Sequence, residues 1–272
     1  MLPMNTDQLA ELLKELSAMK NALAQLLAEK EYMLIYDTVR LESEYMEKVG
    51  HLEYTIFHLD LKLKKLLRKI EIVRSKIAGN EPIDLEMIDA QIEREFAEDK
   101  KEDKKRSDHM SFVEEEDKKQ KKLSKEHAKT LKEMYYKLAK KLHPDINPDI
   151  TEQELALWHR VQRAYENRDL EEMTMLYEMY EQVLELESEL TEREEIIKRI
   201  EKIRVLIAQT LADIAAIKST FPFTFEQKLK DEDWLFAKNA INNQLHRQLK
   251  EEYGSQYELL RTMLSSVGIL YF

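Results

Sequence analysis

The sequence contains no cysteine, and only 4 of its 272 residues are glycine and 5 are proline. Without cysteine, the chain has no disulfide, no thiolate metal ligand and no cysteine nucleophile. With so few glycines, it has no glycine-rich loop of the kind that binds nucleotide phosphates. Because glycine and proline mark most turns, we expect few turns, and long helices rather than a compact α/β enzyme.

Charge and hydropathy exclude further classes of protein. Charged residues make up 36% of the chain and the net charge is −11. An acidic chain is a poor general binder of nucleic acid or of an anionic membrane surface. No run approaches the roughly 20 apolar residues of a membrane span, and the N-terminus lacks the pattern of a signal peptide. We therefore expect a cytoplasmic protein with no nucleic-acid or membrane partner, and the absence of cysteine fits a reducing compartment.

The ionisable residues do not form a recognisable reactive constellation. The histidines show no metal-ligand spacing backed by a third ligand. Glutamates recur at helical spacing beside lysines and arginines, which is typical of solvated helix faces. We therefore predict no metal site, no cofactor and no catalytic residue, and we expect that the protein is not an enzyme.

Apolar residues recur three and four positions apart in two parts of the chain, from Val49 to Ile77 and from Ile196 to Ile217. This spacing is typical of coiled coil. The run Gly79-Asn80-Glu81-Pro82 should end the first helix, since glycine is favoured just past a helix end and proline cannot continue it. A second helix should begin near Asp84 and fold back onto the first.

The predicted fold class is all-α, with long coiled-coil helices flanking a helical hairpin. Residues 98–122 are mostly lysine, glutamate and aspartate, which is compatible with a solvated single helix or a flexible tether, and we favour the tether. The seams pair either within one chain or between two protomers, and the sequence leaves both open. The predicted segments are 1–97 (long helix and hairpin), 98–122 (tether), 123–168 (helical hairpin), 169–220 (coiled-coil helix) and 221–272 (helical segment with an apolar tail).

A helix with one apolar and one basic face should end at His143-Pro144-Asp145. Ser124 can cap its start. Proline disfavours helical geometry at the preceding residue, so the helix must stop at His143 and leave Asp145 in a loop. The basic residues are Lys132, Lys137, Lys140 and Lys141. An exposed carboxylate beside these cations suits docking on an acidic surface that also carries an arginine.

The following helix should begin at Thr151 and Glu154, which form a capping-box pattern. It carries Trp158, Val161 and Tyr165 on one face. We expect this face to pack against the apolar face of the preceding helix. The predicted core of this hairpin comprises Leu131, Leu138, Leu142, Trp158, Val161 and Tyr165.

Together these segments resemble helix II, the loop and helix III of a J-domain, the module that activates DnaK-type chaperone ATPases. J-domains read roughly Y-R-K-L-A-x-K-Y-H-P-D-x-N-P, followed by F-x-x-I-x-x-A-Y. Trp158 replaces the phenylalanine and Val161 the isoleucine, and the resemblance covers about residues 124–167, under a fifth of the chain. The residues in register are Tyr135, Lys137, Leu138, Ala139, Lys141, His143, Pro144, Asp145, Asn147, Pro148, Trp158, Val161, Ala164 and Tyr165.

The resemblance implies a co-chaperone whose partner, a DnaK-type chaperone, hydrolyses the ATP. His143, Pro144 and Asp145 would contact the chaperone, with His143 and Asp145 pointing to solvent, and Asn147 would brace the loop. The basic docking face would comprise Lys132, Tyr135, Lys137, Lys140 and Lys141. The coiled-coil arms would form a homo-oligomer or recruit a client protein. The alternative is a coiled-coil scaffold in which His-Pro-Asp is only a turn.

One departure from the J-domain pattern concerns the helix that should precede helix II. J-domains usually carry a helix I with a Tyr-x-x-Leu-Gly pattern, whereas residues 114–122 here are nearly all charged. Either helix I is absent, or Phe112 and Val113 or a coiled-coil helix take its packing role.

Overall fold

The computed structural model describes residues 6–122, 125–183 and 193–271, and within these ranges the chain forms helices and turns with no strand. The prediction of an all-α fold is confirmed. The α-helices are α1 (Thr6–Tyr32), α2 (Thr38–Tyr45), α3 (His51–Ala78), α4 (Leu85–Glu95), α5 (Ala97–Lys122), α6 (Lys125–Leu142), α7 (Glu152–Glu166), α8 (Leu170–Val183), α9 (Arg193–Lys218) and α10 (Glu232–Ser266). The predicted cap at Ser124 and the predicted helical continuity through 184–192 lie outside the described residues.

The chain divides into two compact units, each built from segments that are distant in the sequence. Unit 1 comprises Met1–Arg40 and Asp117–Thr224, and unit 2 comprises Leu41–Glu116 and Phe225–Phe272. The five segments expected from the sequence are consecutive and do not include this pairing of early with late parts of the chain. They stay a prediction.

Two π-turns, Met33–Asp37 and Met46–Gly50, separate α1, α2 and α3. Each π-turn bonds over five residues instead of four and so rotates the following helical face. The regular apolar spacing that begins at Val49 starts within the second of these segments. Val49 itself is buried within the second π-turn.

In unit 1, α1 runs beside α9 in the same direction. Glu15 pairs with Arg204 at 2.6 Å. Fourteen residues further along both helices, Glu29 pairs with Lys218 at 3.6 Å. The apolar residues buried with this pair of helices are Leu16, Leu23, Ala24, Ile196, Ile200 and Ile203. The apolar faces of these two helices therefore pack against each other within the chain.

The same unit contains a cluster formed by α6, α7 and α8. These helices pack on one another, and α6 also contacts α1. The six residues predicted for the hairpin core lie together in one buried cluster, which also contains Ala28, Tyr36, Tyr135, Ala139, Ala164, Met173 and Leu176. Of these, Ala28 comes from α1, Tyr36 from the segment after it, and Met173 and Leu176 from α8, which the pattern of a two-helix hairpin does not reveal.

In unit 2, α3 packs against α10 and against α4. Asn80 adopts a positive φ just past the end of α3. The Asp84 side chain accepts a hydrogen bond of 3.0 Å from the Met87 backbone N–H and so caps α4. The buried residues of this core are Leu66, Ile70, Val73, Ile88, Ile92, Leu260 and Leu264. As the sequence predicts, α4 folds back onto α3.

Of the two alternatives for 98–122, a solvated helix and a tether, the structure has the helix, α5. Ion pairs one turn apart support the helix, for example Arg106 with Glu102 at 3.0 Å. The Arg106 guanidinium also lies over the Phe57 ring of α3, 4.2 Å from its centroid. Long charged side chains thus supply contacts that the scarcity of apolar residues in this segment does not predict.

Candidate functional site

The candidate site begins at the C-terminal end of α6. The last helical hydrogen bond runs from the His143 N–H to the Ala139 carbonyl at 3.0 Å. Pro144 has no N–H to continue the ladder and restricts His143, so the chain turns here. The N–H groups of Ile146 and Asn147 both donate to the His143 carbonyl, at 3.0 and 2.9 Å. The loop is therefore an ordered turn.

Asn147 closes the end of α6 with its side-chain amide. Its Nδ2 donates to the carbonyls of Lys140 at 2.9 Å and Lys141 at 2.8 Å. The last carbonyls of a helix have no partner within the helix, so a side-chain donor at this point stabilises the end. The bracing role that the resemblance implies for Asn147 matches this position.

The His143 side chain does not point to solvent as expected. Its ring is half-buried and packs edge-on against Trp158, with ring centroids 5.0 Å apart and an interplanar angle of 64°. The Asp145 backbone N–H donates to His143 Nδ1 at 3.1 Å, which puts the ring proton of the neutral form on Nε2. Burial lowers the pKa of His143 by disfavouring the charged ring, nearby Lys30 lowers it further, and Asp145 partly opposes both. The expectation failed because Trp158 is large enough to reach the loop.

Asp145 is the exposed anion of the site. Its carboxylate has no hydrogen-bond or ion-pair partner among the residues that the structure describes. Only its backbone N–H is engaged, by His143. Pro144, between the two, is half-buried. The carboxylate is therefore held in a defined place and open to an external cation.

The predicted basic residues of α6 do not share one open face. Lys132 lies over the Tyr32 ring of α1 at 4.3 Å. Lys137 is exposed, and its Nζ donates to the Tyr177 hydroxyl of α8 at 3.0 Å. Lys140 and Lys141 are half-buried near the loop. Lys137 is thus the exposed cation among these four, while Lys132 turns toward α1.

Tyr135 does not belong to a docking face. It is only 2% exposed and stacks on Tyr165, with ring centroids 4.3 Å apart. Burial raises its pKa well above the ordinary value for tyrosine. Its position between Leu131 and Leu138 on the apolar face explains the difference, because that periodicity takes the side chain into the core.

The predicted capping box at the start of α7 is confirmed. The Thr151 backbone N–H donates to the Glu154 carboxylate at 2.8 Å, and the Glu154 N–H donates to Thr151 Oγ1 at 3.2 Å. This box sets where the loop ends and α7 begins. It thereby positions Trp158 over the loop.

The loop is also tied to α1 and α9, which sequence reasoning missed. Ile146 is 1% exposed and packs among the apolar residues of the α1–α9 pair. Lys20 of α1 donates to Asn147 Oδ1 at 2.8 Å, and Arg199 of α9 forms an ion pair with Asp149. An isoleucine in an otherwise polar loop was the available signal, since such a side chain needs an apolar partner.

The N-terminal segment also packs on the hairpin core. Tyr36, which follows α1, is buried against Tyr165, with ring centroids 5.9 Å apart. Ala28 of α1 belongs to the same buried cluster. Whether these contacts stand in for a helix I stays a prediction.

In the described ranges, no group of three histidine, aspartate or glutamate residues is placed to hold a metal ion, and no helix is both long and apolar enough to cross a membrane. Comparisons with family models, with curated proteins and with solved structures find no match to this chain.

Proposed function

We propose that this protein is a cytoplasmic J-domain-type co-chaperone that docks on a DnaK-type chaperone through the His143-Pro144-Asp145 loop. The observation that carries the proposal is the Asp145 carboxylate, which is exposed, lacks a side-chain partner among the described residues and is held at the end of a basic helix. The chaperone would perform the ATP hydrolysis, and this chain would stimulate it.

The chemistry of the loop supports a partner that presents an arginine within an acidic surface. A carboxylate with a fixed backbone loses little conformational entropy on pairing with a guanidinium, and such pairs are strong and directional. Lys137 and Lys140 of α6 would contact the acidic surroundings of that arginine. Their contribution would act mainly on the association rate and would fall as salt is raised.

The long helices outside the hairpin would recruit a client protein or form an oligomer. A client held on the same chain as the loop reaches the chaperone at a high effective concentration. Phe236 of α10, whose side chain is 79% exposed, is among the large apolar side chains on the surface of these helices. Such side chains are candidates for client contacts.

A coiled-coil scaffold without a chaperone partner is the second candidate function. It is favoured by Ile146, which is buried between α1 and α9 and so gives the loop a structural purpose of its own. In this reading the His-Pro-Asp sequence is a turn that orients α7 on α6.

A single-turnover ATPase assay with a purified DnaK-type chaperone tests the proposal. We expect the full chain to accelerate hydrolysis and Asp145→Asn to abolish the effect, because loss of a charge-assisted contact costs about 2–5 kcal/mol of binding. Glu133→Gln is the matched control: it removes the same charge from an exposed position on α6. A folded wild-type chain that gives no acceleration would favour the scaffold.

A further inference from the structure

The loop that ends α6 is held by two helices that lie more than a hundred residues before it and about fifty residues after it in the sequence. Lys20 of α1 contacts Asn147. Arg199 of α9 contacts Asp149. Ile146, immediately before Asn147, packs among the apolar residues of the same two helices. The loop is therefore part of the α1–α9 packing as much as of the hairpin.

The contacts of Asn147 explain why Lys20 matters for the loop. The two Nδ2 protons of Asn147 go to the carbonyls of Lys140 and Lys141, so the amide oxygen faces the opposite way. Lys20 occupies that oxygen at 2.8 Å in a half-buried setting. The ammonium thus fixes the amide in the one orientation that caps α6.

The geometry points to a second role for the α1–α9 pair: it sets the shape of the His143–Asp149 loop, with Lys20 as a positioning residue. Its bearing on chaperone stimulation rests on the proposed function. Lys20 of α1 and Arg199 of α9 together form a clamp on the loop. A partner or condition that separates α1 from α9 would release the loop and prevent docking. The hairpin alone would not hold the loop in this form.

Hydrogen exchange on the full chain measures the clamp without any partner. The N–H groups of Ile146 and Asn147 report on the loop, because both donate to the His143 carbonyl. We expect Lys20→Met to speed their exchange about tenfold, as the loss of a hydrogen bond to a charged group implies. Exchange within α6, for example at Leu138, should stay unchanged. Lys20→Arg, which keeps a charged donor, should restore protection.

Lys14→Met is the matched control, because it removes the same charge from an exposed position on the same helix. It should leave exchange in the loop as in the wild type. Unchanged loop exchange in Lys20→Met would overturn the inference. So would faster exchange spread evenly over α1 and α6, since that would make Lys20 an ordinary helix contact.

The ATPase assay adds a second, separable result. If the wild type stimulates a chaperone, Lys20→Met should raise the concentration for half-maximal stimulation about tenfold, and Lys20→Arg should restore it. Faster loop exchange in Lys20→Met together with an inactive wild type would refute the proposed function and support the clamp. An active wild type with unchanged loop exchange in Lys20→Met would support the proposed function and refute the clamp.

Discussion

His143 packs edge-on against Trp158 of α7, with their ring centroids 5.0 Å apart. The first residue of the loop is therefore anchored in the core of the hairpin, while Asp145, two residues later, is exposed. The two residues therefore have different roles in the loop. The histidine holds the turn from inside, and the carboxylate is presented outward.

Replacing Trp158 should test this anchor. Trp158 is 2% exposed, so Trp158→Ala should lower the free energy of unfolding by about 3–5 kcal/mol. Trp158→Phe should cost less, because a ring remains against His143. Urea denaturation followed by circular dichroism measures both. Phe236→Ala, at a position 79% exposed, should stay within about 0.5 kcal/mol of the wild type. Equal effects at Trp158 and Phe236 would contradict the described core.

The lowered pKa of His143 predicts a pH dependence of stability. Since the folded pKa lies below the unfolded value, near 6.5, the unfolded state binds the proton more readily as pH falls. This contribution is complete above the unfolded pKa and declines as pH drops through the folded pKa. We expect His143→Gln to flatten the fall in stability between about pH 7 and 5.

Nuclear magnetic resonance of the His143 ring nitrogens gives a direct check. Nδ1 should be unprotonated at pH 7, because it accepts from the Asp145 N–H. The ring should titrate below the ordinary pKa of histidine, near 6.5. A ring that titrates above its ordinary value, or that carries its proton on Nδ1, would refute this description.

Two tyrosine hydroxyls should respond differently to removal. The Tyr165 hydroxyl has no hydrogen-bond partner among the described residues, so Tyr165→Phe should leave stability unchanged or raise it by up to about 1 kcal/mol. The Tyr45 hydroxyl donates to Glu53 at 2.6 Å, so Tyr45→Phe should cost about 1–3 kcal/mol. Thermal and urea unfolding of the two variants give the comparison. The opposite order would show that the Tyr165 hydroxyl has a polar partner, such as a buried water.

Phe57 tests how α5 is held. The Arg106 guanidinium lies over its ring, and a cation–π contact at an exposed site contributes about 0.5–1 kcal/mol. Phe57→Ala should therefore raise the rate of tryptic cleavage within 98–122 about two- to fivefold. Met87→Ala, at a position 70% exposed in the same unit, serves as the control. Rapid cleavage of the wild type, with no further effect of Phe57→Ala, would restore the tether hypothesis.

Local pattern was enough to predict the helical hairpin. Apolar spacing in α6 and α7, the stop imposed by Pro144 and the Thr151–Glu154 capping box depend on neighbours within a few residues. The same local spacing accounts for the burial of Tyr135. The spacing indicates the core, whereas the J-domain resemblance implies a docking face.

The remaining features depend on contacts between segments far apart in the sequence. The sequence by itself determined the helical class, the position of the loop and the exposed carboxylate of Asp145, because periodicity and proline act locally. Only the tertiary structure decided that α1 pairs with α9, that α3 pairs with α10 and that α5 is a helix. It also decided that Ile146 and Asn147 engage α1. The sequence pattern of an apolar seam is compatible with many partner helices. The pairing therefore follows only from the packing of the whole chain.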